Sequence, residues 1–328
     1  MKKIIQYIAI ILPLMMGSCT TDGLINSITP DKMEISEIEG ISLPFDFEGA
    51  ESRTSINMGS TSIDLPVWKE GDIIGIYPSA GGDQLSFPII DGINTNTCVF
   101  TGGGWALKAS TATTTYRYTA YTPFNRNYYL IENNNALPVN MLGQKQVGNN
   151  NSDHLGDYDL QIANGDTPTN GKISFAFQHK VAIVRMDITA PCAASWKSIV
   201  LKSDAYFTVK AAMNLSVAEP TITPTELSNN VTLDLEDVNT TVDNLSIIAY
   251  MMLLPIDFTN KTLTIELTDT ENNTYSSPVT FENPTNIKNP RKFGAANPRW
   301  ISAVFENGNV AKGTIKDWIN EEYLGGAE

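Results

Sequence analysis

Three cysteines, two histidines and 22 Lys+Arg are a thin stock of soft ligands and positive charge for 328 residues. So few His and Cys argue against a zinc enzyme before any motif is read. Asp+Glu number 36, for a net charge of −14. A surface of that sign repels a phosphate backbone, so nucleic acid is excluded as a partner. Charged residues, at 18% against 42% hydrophobic, are too scarce for a disordered chain. Glycine (23) and proline (17) stay near average use, which excludes collagen-like and linker-dominated chains. Beyond Gly23 no long stretch carries apolar residues at helical spacing, and no segment after the first 18 residues is apolar and long enough to span a bilayer. There is no nucleophile elbow and no clustered His/Asp/Glu ligand set. Gly102-Gly103-Gly104 precedes Trp105 without the Gly-Lys-Ser/Thr of a phosphate loop. No catalytic residue, cofactor or metal ligand is assigned, and the chain does not read as an enzyme.

What is present begins with an address. Lys2 and Lys3 precede an apolar run from Ile4 to Met16, then Gly17-Ser18-Cys19. A basic start, a short hydrophobic stretch and small residues before a cut site make a secretory signal. Met16-Gly17-Ser18-Cys19 resembles a bacterial lipobox, with Met where Leu is usual, so Cys19 is expected to be the lipidated first residue after removal of 1–18. Each buried methylene contributes about 0.8 kcal/mol, so several acyl chains such as palmitate hold a protein on a membrane. Cys98 and Cys192 lie far apart and are expected as unpaired, apolar-like side chains.

The rest reads as all-β. Short β-branched and aromatic runs include Ile73–Tyr77, Tyr116–Tyr121, Ile173–Phe177, Val181–Ile188, Ser246–Leu254 and Trp300–Phe305, with turn clusters such as Asn149-Asn150-Asn151 and Glu271-Asn272-Asn273 between such runs. Many short strands at this spacing indicate β-sandwiches. The polar stretch Asn164–Gly171 is the expected boundary between an N-terminal domain, 54–170, and a C-terminal domain, 171–328.

Ile41-Ser42-Leu43-Pro44-Phe45-Asp46-Phe47-Glu48 alternates without error, which predicts a half-buried strand presenting Ile41, Leu43, Phe45 and Phe47 on one face. Pro44 cannot donate to a ladder, which places the strand at an edge or leaves that position pointing away from its neighbour. Arg53, the first arginine, follows among small residues, in a setting that a trypsin-like protease can reach. Burying four large apolar side chains stabilises by roughly 6–12 kcal/mol, against about 5–15 kcal/mol for a whole domain. Removing such a strand leaves a groove that needs another strand in it. The plainer alternative is an ordinary first strand followed by an uncut loop.

Several stretches resemble a known family. Trp68-Lys69-Glu70-Gly71-Asp72-Ile73-Ile74-Gly75 is similar to the W-x-x-G-D-x-I-G stretch of the fimbrillins, the subunits of type V pili and their accessory proteins. Tyr118-Thr119-Ala120-Tyr121-Thr122-Pro123 resembles their Y-x-A-Y-x-P element. Asp153-His154-Leu155 with Asp157-Tyr158-Asp159-Leu160 is similar to the segment closing their first domain, and Phe177-Gln178-His179-Lys180-Val181-Ala182-Ile183-Val184 to the strand opening their second.

The resemblance implies two transthyretin-like β-sandwich domains, made as an outer-membrane lipoprotein precursor with a propeptide at 19–53. It further implies cleavage by an Arg-specific, trypsin-like protease between Arg53 and Thr54, loss of the N-terminal strand, and polymerisation by donor-strand exchange with other pilus subunits, for adhesion at the cell surface. Such a head-to-tail contact does not close on itself and can propagate. The cut leaves 18 basic against 28 acidic residues, net −10, so contact between subunits must come from apolar burial. Ile315-Lys316-Asp317-Trp318 resembles the family's C-terminal I-x-D-W, which makes Ile315 and Trp318 donor-strand candidates; a hairpin within its own domain is the alternative. On this reading both histidines serve structural hydrogen bonds, and Trp68 and Tyr121 pack in cores rather than stack on sugars. An unprocessed outer-membrane anchor or glycan-binding surface lipoprotein is the alternative function.

Overall fold

The computed structural model describes residues 34–35, 37–43, 67–79, 82–102, 106–110, 114–131, 134–165, 173–281, 291–296, 298–305 and 313–317. The early strands are β1 (Glu34–Ile35), β2 (Glu37–Ser42), β3 (Ile73–Pro78), β4 (Leu85–Asp91), β5 (Thr97–Thr101), β6 (Leu107–Lys108) and β7 (Tyr118–Thr122). Then come β8 (Leu137–Asn140), β9 (Gln144–Val147), β10 (Gln161–Gly165), β11 (Ser174–His179), β12 (Ala182–Thr189), β13 (Ser195–Asn214) and β14 (Thr221–Asn239). The last are β15 (Ser246–Leu253), β16 (Ile256–Asp257), β17 (Leu263–Asp269), β18 (Thr274–Phe281), β19 (Lys292–Phe293), β20 (Arg299–Val304) and β21 (Gly313–Asp317). The helical elements among the described residues are two short 3-10 turns, Arg126–Leu130 and Asp153–Asp157. The fold is all-β.

Seven strands close a barrel in the order β10-β11-β2-β5-β4-β3-β7. A ten-stranded sheet follows the path β15-β12-β20-β21-β18-β17-β13-β14-β9, with β8 alongside β13. The polar stretch Asn164–Gly171 does not separate these sheets. It joins β10 to β11, antiparallel neighbours in the barrel with Gln161 opposite His179. Two features move the change of sheet to the step between His179 and Ala182. β11 alternates exposed and buried residues and sends Phe175 and Phe177 into the barrel core. β12 is buried on both faces, the near-continuous apolar run of a central strand. β8 and β9, which precede 170, pair with β13 and β14 of the second sheet. A cut at 170/171 therefore runs through both sheets.

Three cores follow. The barrel interior holds Ile38, Trp68, Phe87, Phe100, Phe175 and Phe177. One face of the large sheet gathers Val184, Met186, Trp196, Leu201, Phe258 and Ile265. The third packs barrel tyrosines Tyr77 and Tyr121 against Ile183, Tyr250 and Met252 on the opposite face of β12 and β15, tying barrel to sheet.

The outer edge of β15 is closed by side chains. Gln144 Nε2 donates to the Met252 carbonyl (2.7 Å) while Met252 N–H donates to Gln144 Oε1 (2.8 Å). Gln146 repeats the pattern on Ile248 and Tyr250, and Asn149 Oδ1 accepts from Ile248 N–H. His154 Nε2 completes the row at the Tyr250 carbonyl (3.0 Å). Side-chain amides thus take the place of a neighbouring strand and satisfy an edge that would otherwise template aggregation.

Candidate functional site

β2 is the strand on which the expected chemistry converges. It runs antiparallel to β5, with Ile38 opposite Phe100 and Gly40 opposite Cys98, and parallel to β11, with Glu39 opposite Ser174 and Ser42 opposite Phe177. It is the one stave joining β11 to β5, so the barrel is closed through it. Ile38, Gly40 and Ser42 point inward and are buried; Glu37 and Glu39 are exposed, and Ile41 is half-buried.

This corrects the expected face. The strand starts at Glu37, four residues upstream of the expected run, and ends at Ser42, within it. Ile41 and Leu43, expected inward, are half-buried on the other phase, while Phe45 and Phe47 lie outside the described residues. The reason is room. A Cβ on Gly40 would lie 2.7 Å from Phe100 Cε2 and 3.1 Å from Cys98 Sγ, so the inward place beneath the Phe100 ring admits glycine and not isoleucine. Among the described residues of this segment the large buried apolar side chains are Ile35 and Ile38, worth about 3–6 kcal/mol together.

The family-like motifs build the walls around β2. Trp68 packs edge-on against Phe100 (centroids 5.1 Å apart) and Phe177 (5.4 Å), and its Nε1 donates to the Asn96 carbonyl. Gly71 (φ +90) and Asp72 then turn the chain into β3, with Lys69 N–H donating to Asp72 Oδ2 at 2.7 Å. Gly75 lies under the Tyr121 ring, where a Cβ would come within 2.2 Å of Cε1. The first two motifs are therefore two halves of one contact. Trp68 and Tyr121 are buried core residues.

The other two motifs meet at the end of β2. Ser42 Oγ donates to Gln161 Oε1 (2.7 Å), and Gln161 Nε2 donates to Asp159 Oδ2 (2.8 Å). His179 Nδ1 lies 2.6 Å from Asp159 Oδ1, and its Nε2 is 2.9 Å from the Leu43 carbonyl. A carbonyl only accepts, so Nε2 donates to it, and one further proton is held between Nδ1 and the carboxyl oxygen. This buried clamp grips the segment at Ser42 and Leu43. Sequence reasoning gave His179 a structural hydrogen bond but did not find Asp159, Gln161, Ser42 or Gly40. The visible signal was the pattern Ile38-x-Gly40-x-Ser42 just upstream of the alternating run.

Cys98 lies directly under β2, where burial holds its thiol protonated, its pKa pushed up to about 12. Cys98 and Cys192 are both free. A cavity of about 420 Å³ opens beside the clamp, lined in part by Ser42, Val67, Trp68, Asp159 and Gln161. Ser42 and Val67 flank the segment that contains Arg53, so the chain leaves and returns on the wall of one cavity. Cys19, Arg53, Thr54 and Trp318 lie outside the described residues. Ile315 belongs to β21, which is seated in its own sheet, antiparallel to β20 and parallel to β18.

A fimbrillin-like family model matches residues 54–318. The chain belongs to the fimbrillin-like family. Among solved structures, a candidate cell adhesion protein from Bacteroides uniformis ATCC 8492 is similar over 87% of this chain and 98% of its own, at 16% identity and TM-score 0.52. Another from Bacteroides ovatus ATCC 8483 matches over 86% and 97%, at 15% identity and TM-score 0.55. Both share the fold. The comparison with curated proteins gave no match. Membership of this fimbrial structural family supports a pilus-subunit role at the cell surface, in association with other subunits. The matched region begins at Thr54, directly after Arg53.

Proposed function

We propose that this fimbrillin-like chain is a shaft or tip subunit of a type V pilus whose β2 is a removable stave. It is exported as a lipoprotein precursor acylated at Cys19, carried to the outer membrane, and cut after Arg53 by an Arg-specific protease. The cut detaches β1 and β2 and leaves a slot between β5 and β11. A strand from another subunit refills that slot, and repetition builds the fibre. Strand addition suits such a slot because main-chain hydrogen bonds give affinity and pockets for alternate side chains give specificity.

The observation that carries the reading is the position of β2. It precedes Arg53 in sequence, closes the barrel on both sides, and is joined to the rest by a segment whose two ends meet at one cavity. The propeptide expected at 19–53 contributes β1 and β2 to the described structure, so maturation would remove just these strands. An Arg53→Ala chain should accumulate as a lipidated, monomeric precursor in the membrane fraction. Normal fibres from that variant would reject the reading in favour of an unprocessed surface lipoprotein.

A further inference from the structure

We infer that the incoming strand is set in register by a glycine, and that this glycine is Gly325 of a second copy of the chain. The inference rests on strand exchange at the β2 slot. It concerns which strand the slot accepts and how that strand aligns.

The slot shows what it requires. Backbone pairing with β5 and β11 is indifferent to side chains, so the inward places decide. The first takes the buried Ile38; the second lies under Phe100 and beside Cys98, where any Cβ is crowded; the third holds Ser42 against Gln161. The rule is a large apolar residue, then glycine, then a small residue, at every second position. A slip by one residue turns the other face inward. A slip by two places a side chain under Phe100, unless a second glycine follows at that spacing.

β21 is a poor occupant of that slot. It already pairs on both sides in its own sheet, so donating it would open the gap between β18 and β20. The glycines beyond β20 are Gly308, Gly313, Gly325 and Gly326. Two places before them stand Glu306, Ala311, Tyr323 and Leu324; two places after stand Val310, Ile315, Ala327 and Glu328. Only Gly325 has a bulky apolar residue before it and a small one after it. Tyr323, Gly325 and Ala327 then take the places of Ile38, Gly40 and Ser42. This segment follows β21 in sequence, so it can leave for a neighbour while β21 stays seated.

Cys98 supplies the readout, because β2 covers it in the uncut chain. The full chain carrying Cys192→Ser is cut after Arg53 with an Arg-specific protease, and residues 1–53 take Cys19 with them. Assembly is followed by light scattering, and slot occupancy by alkylation of Cys98. The otherwise native sequence should assemble with Cys98 protected. Gly325→Val should weaken docking about ten- to hundredfold, the effect of overpacking one side chain, and leave Cys98 reactive. Phe100→Ala combined with Gly325→Val in the same chain should restore docking of the altered strand. Where that double variant folds poorly, peptides of residues 319–328, one native and one carrying Gly325→Val, are added to the cut chain, and the native peptide alone should protect Cys98. Assembly of the Gly325→Val chain at the native rate, with Cys98 protected, would overturn the register while leaving strand exchange intact. So would loss of docking on Gly313→Val with Gly325→Val neutral. If the native sequence neither assembles nor protects Cys98 after cutting, strand exchange fails and the register falls with it.

Discussion

β2 and β21 are built alike and placed differently. Each is a single strand inserted between one parallel and one antiparallel neighbour: β11 and β5 for β2, β18 and β20 for β21. β2 completes a closed barrel, so its loss opens one seam and leaves the other six staves in a continuous row. β21 lies inside an open sheet, so its loss severs β15-β12-β20 from the strands beyond it. The two slots offer the same backbone polarity, and what separates them is the consequence of leaving. A strand at a seam can be exchanged at the cost of its own contacts, whereas a strand within a sheet takes the sheet apart with it.

That contrast can be broken by experiment. The largest effect is expected from Ile315→Pro, which removes a ladder hydrogen bond in a sheet interior, where proline is essentially excluded. It should destabilise the chain equally before and after cutting at Arg53, as read by urea denaturation; an effect confined to fibre growth would make β21 the donor. His179→Ala should cost the uncut chain about 3–5 kcal/mol, because it strands the Asp159 carboxyl in the buried clamp. The loss should appear as faster release of β2, measured by Cys98 alkylation. Gly40→Val should cost about 1–3 kcal/mol in the uncut chain. It should cost nothing after residues 1–53 have left, since Gly40 leaves with them; an equal effect in both forms would mean that β2 is retained.

The smallest effect is on pH. Burial lowers the pKa of His154, which caps Tyr250 on the β15 edge while its Nδ1 is buried without a partner among the described residues. As pH falls below 6.5 the unfolded chain binds a proton that the folded chain resists, so this residue's contribution to stability declines toward acid. His154→Gln, with an amide in place of the imidazole, should flatten that part of the profile. An unchanged profile would assign the acid sensitivity elsewhere.

Much of the fold was legible because its central strands carry strong patterns. Val181–Ile188 and Ser246–Leu254 read as apolar runs and appear within a residue or so as β12 and β15. β8 and β9 were not legible. Gln144 and Gln146 are fully buried, yet their amides serve the β15 backbone, and no apolar pattern marks that task. Within the 20 residues of β13 only Ile199–Leu201 stands out as an apolar run, since a bulge after Trp196 breaks the phase and Ser203 and Ala205 dilute the inward alternation from Ile199 to Met213. At the site, the alternation of Ile41 to Phe47 outweighed the quieter Ile38-x-Gly40-x-Ser42. A glycine under an aromatic ring is a statement about the partner strand, and Phe100 stands sixty positions away.

The most direct test is the N-terminus of the subunit in assembled fibres, read by Edman degradation or mass spectrometry. The account predicts that the chain begins at Thr54, with no peptide covering residues 34–43 in the fibre. Fibres whose subunits still carry Glu37–Ser42 on the same polypeptide would contradict it.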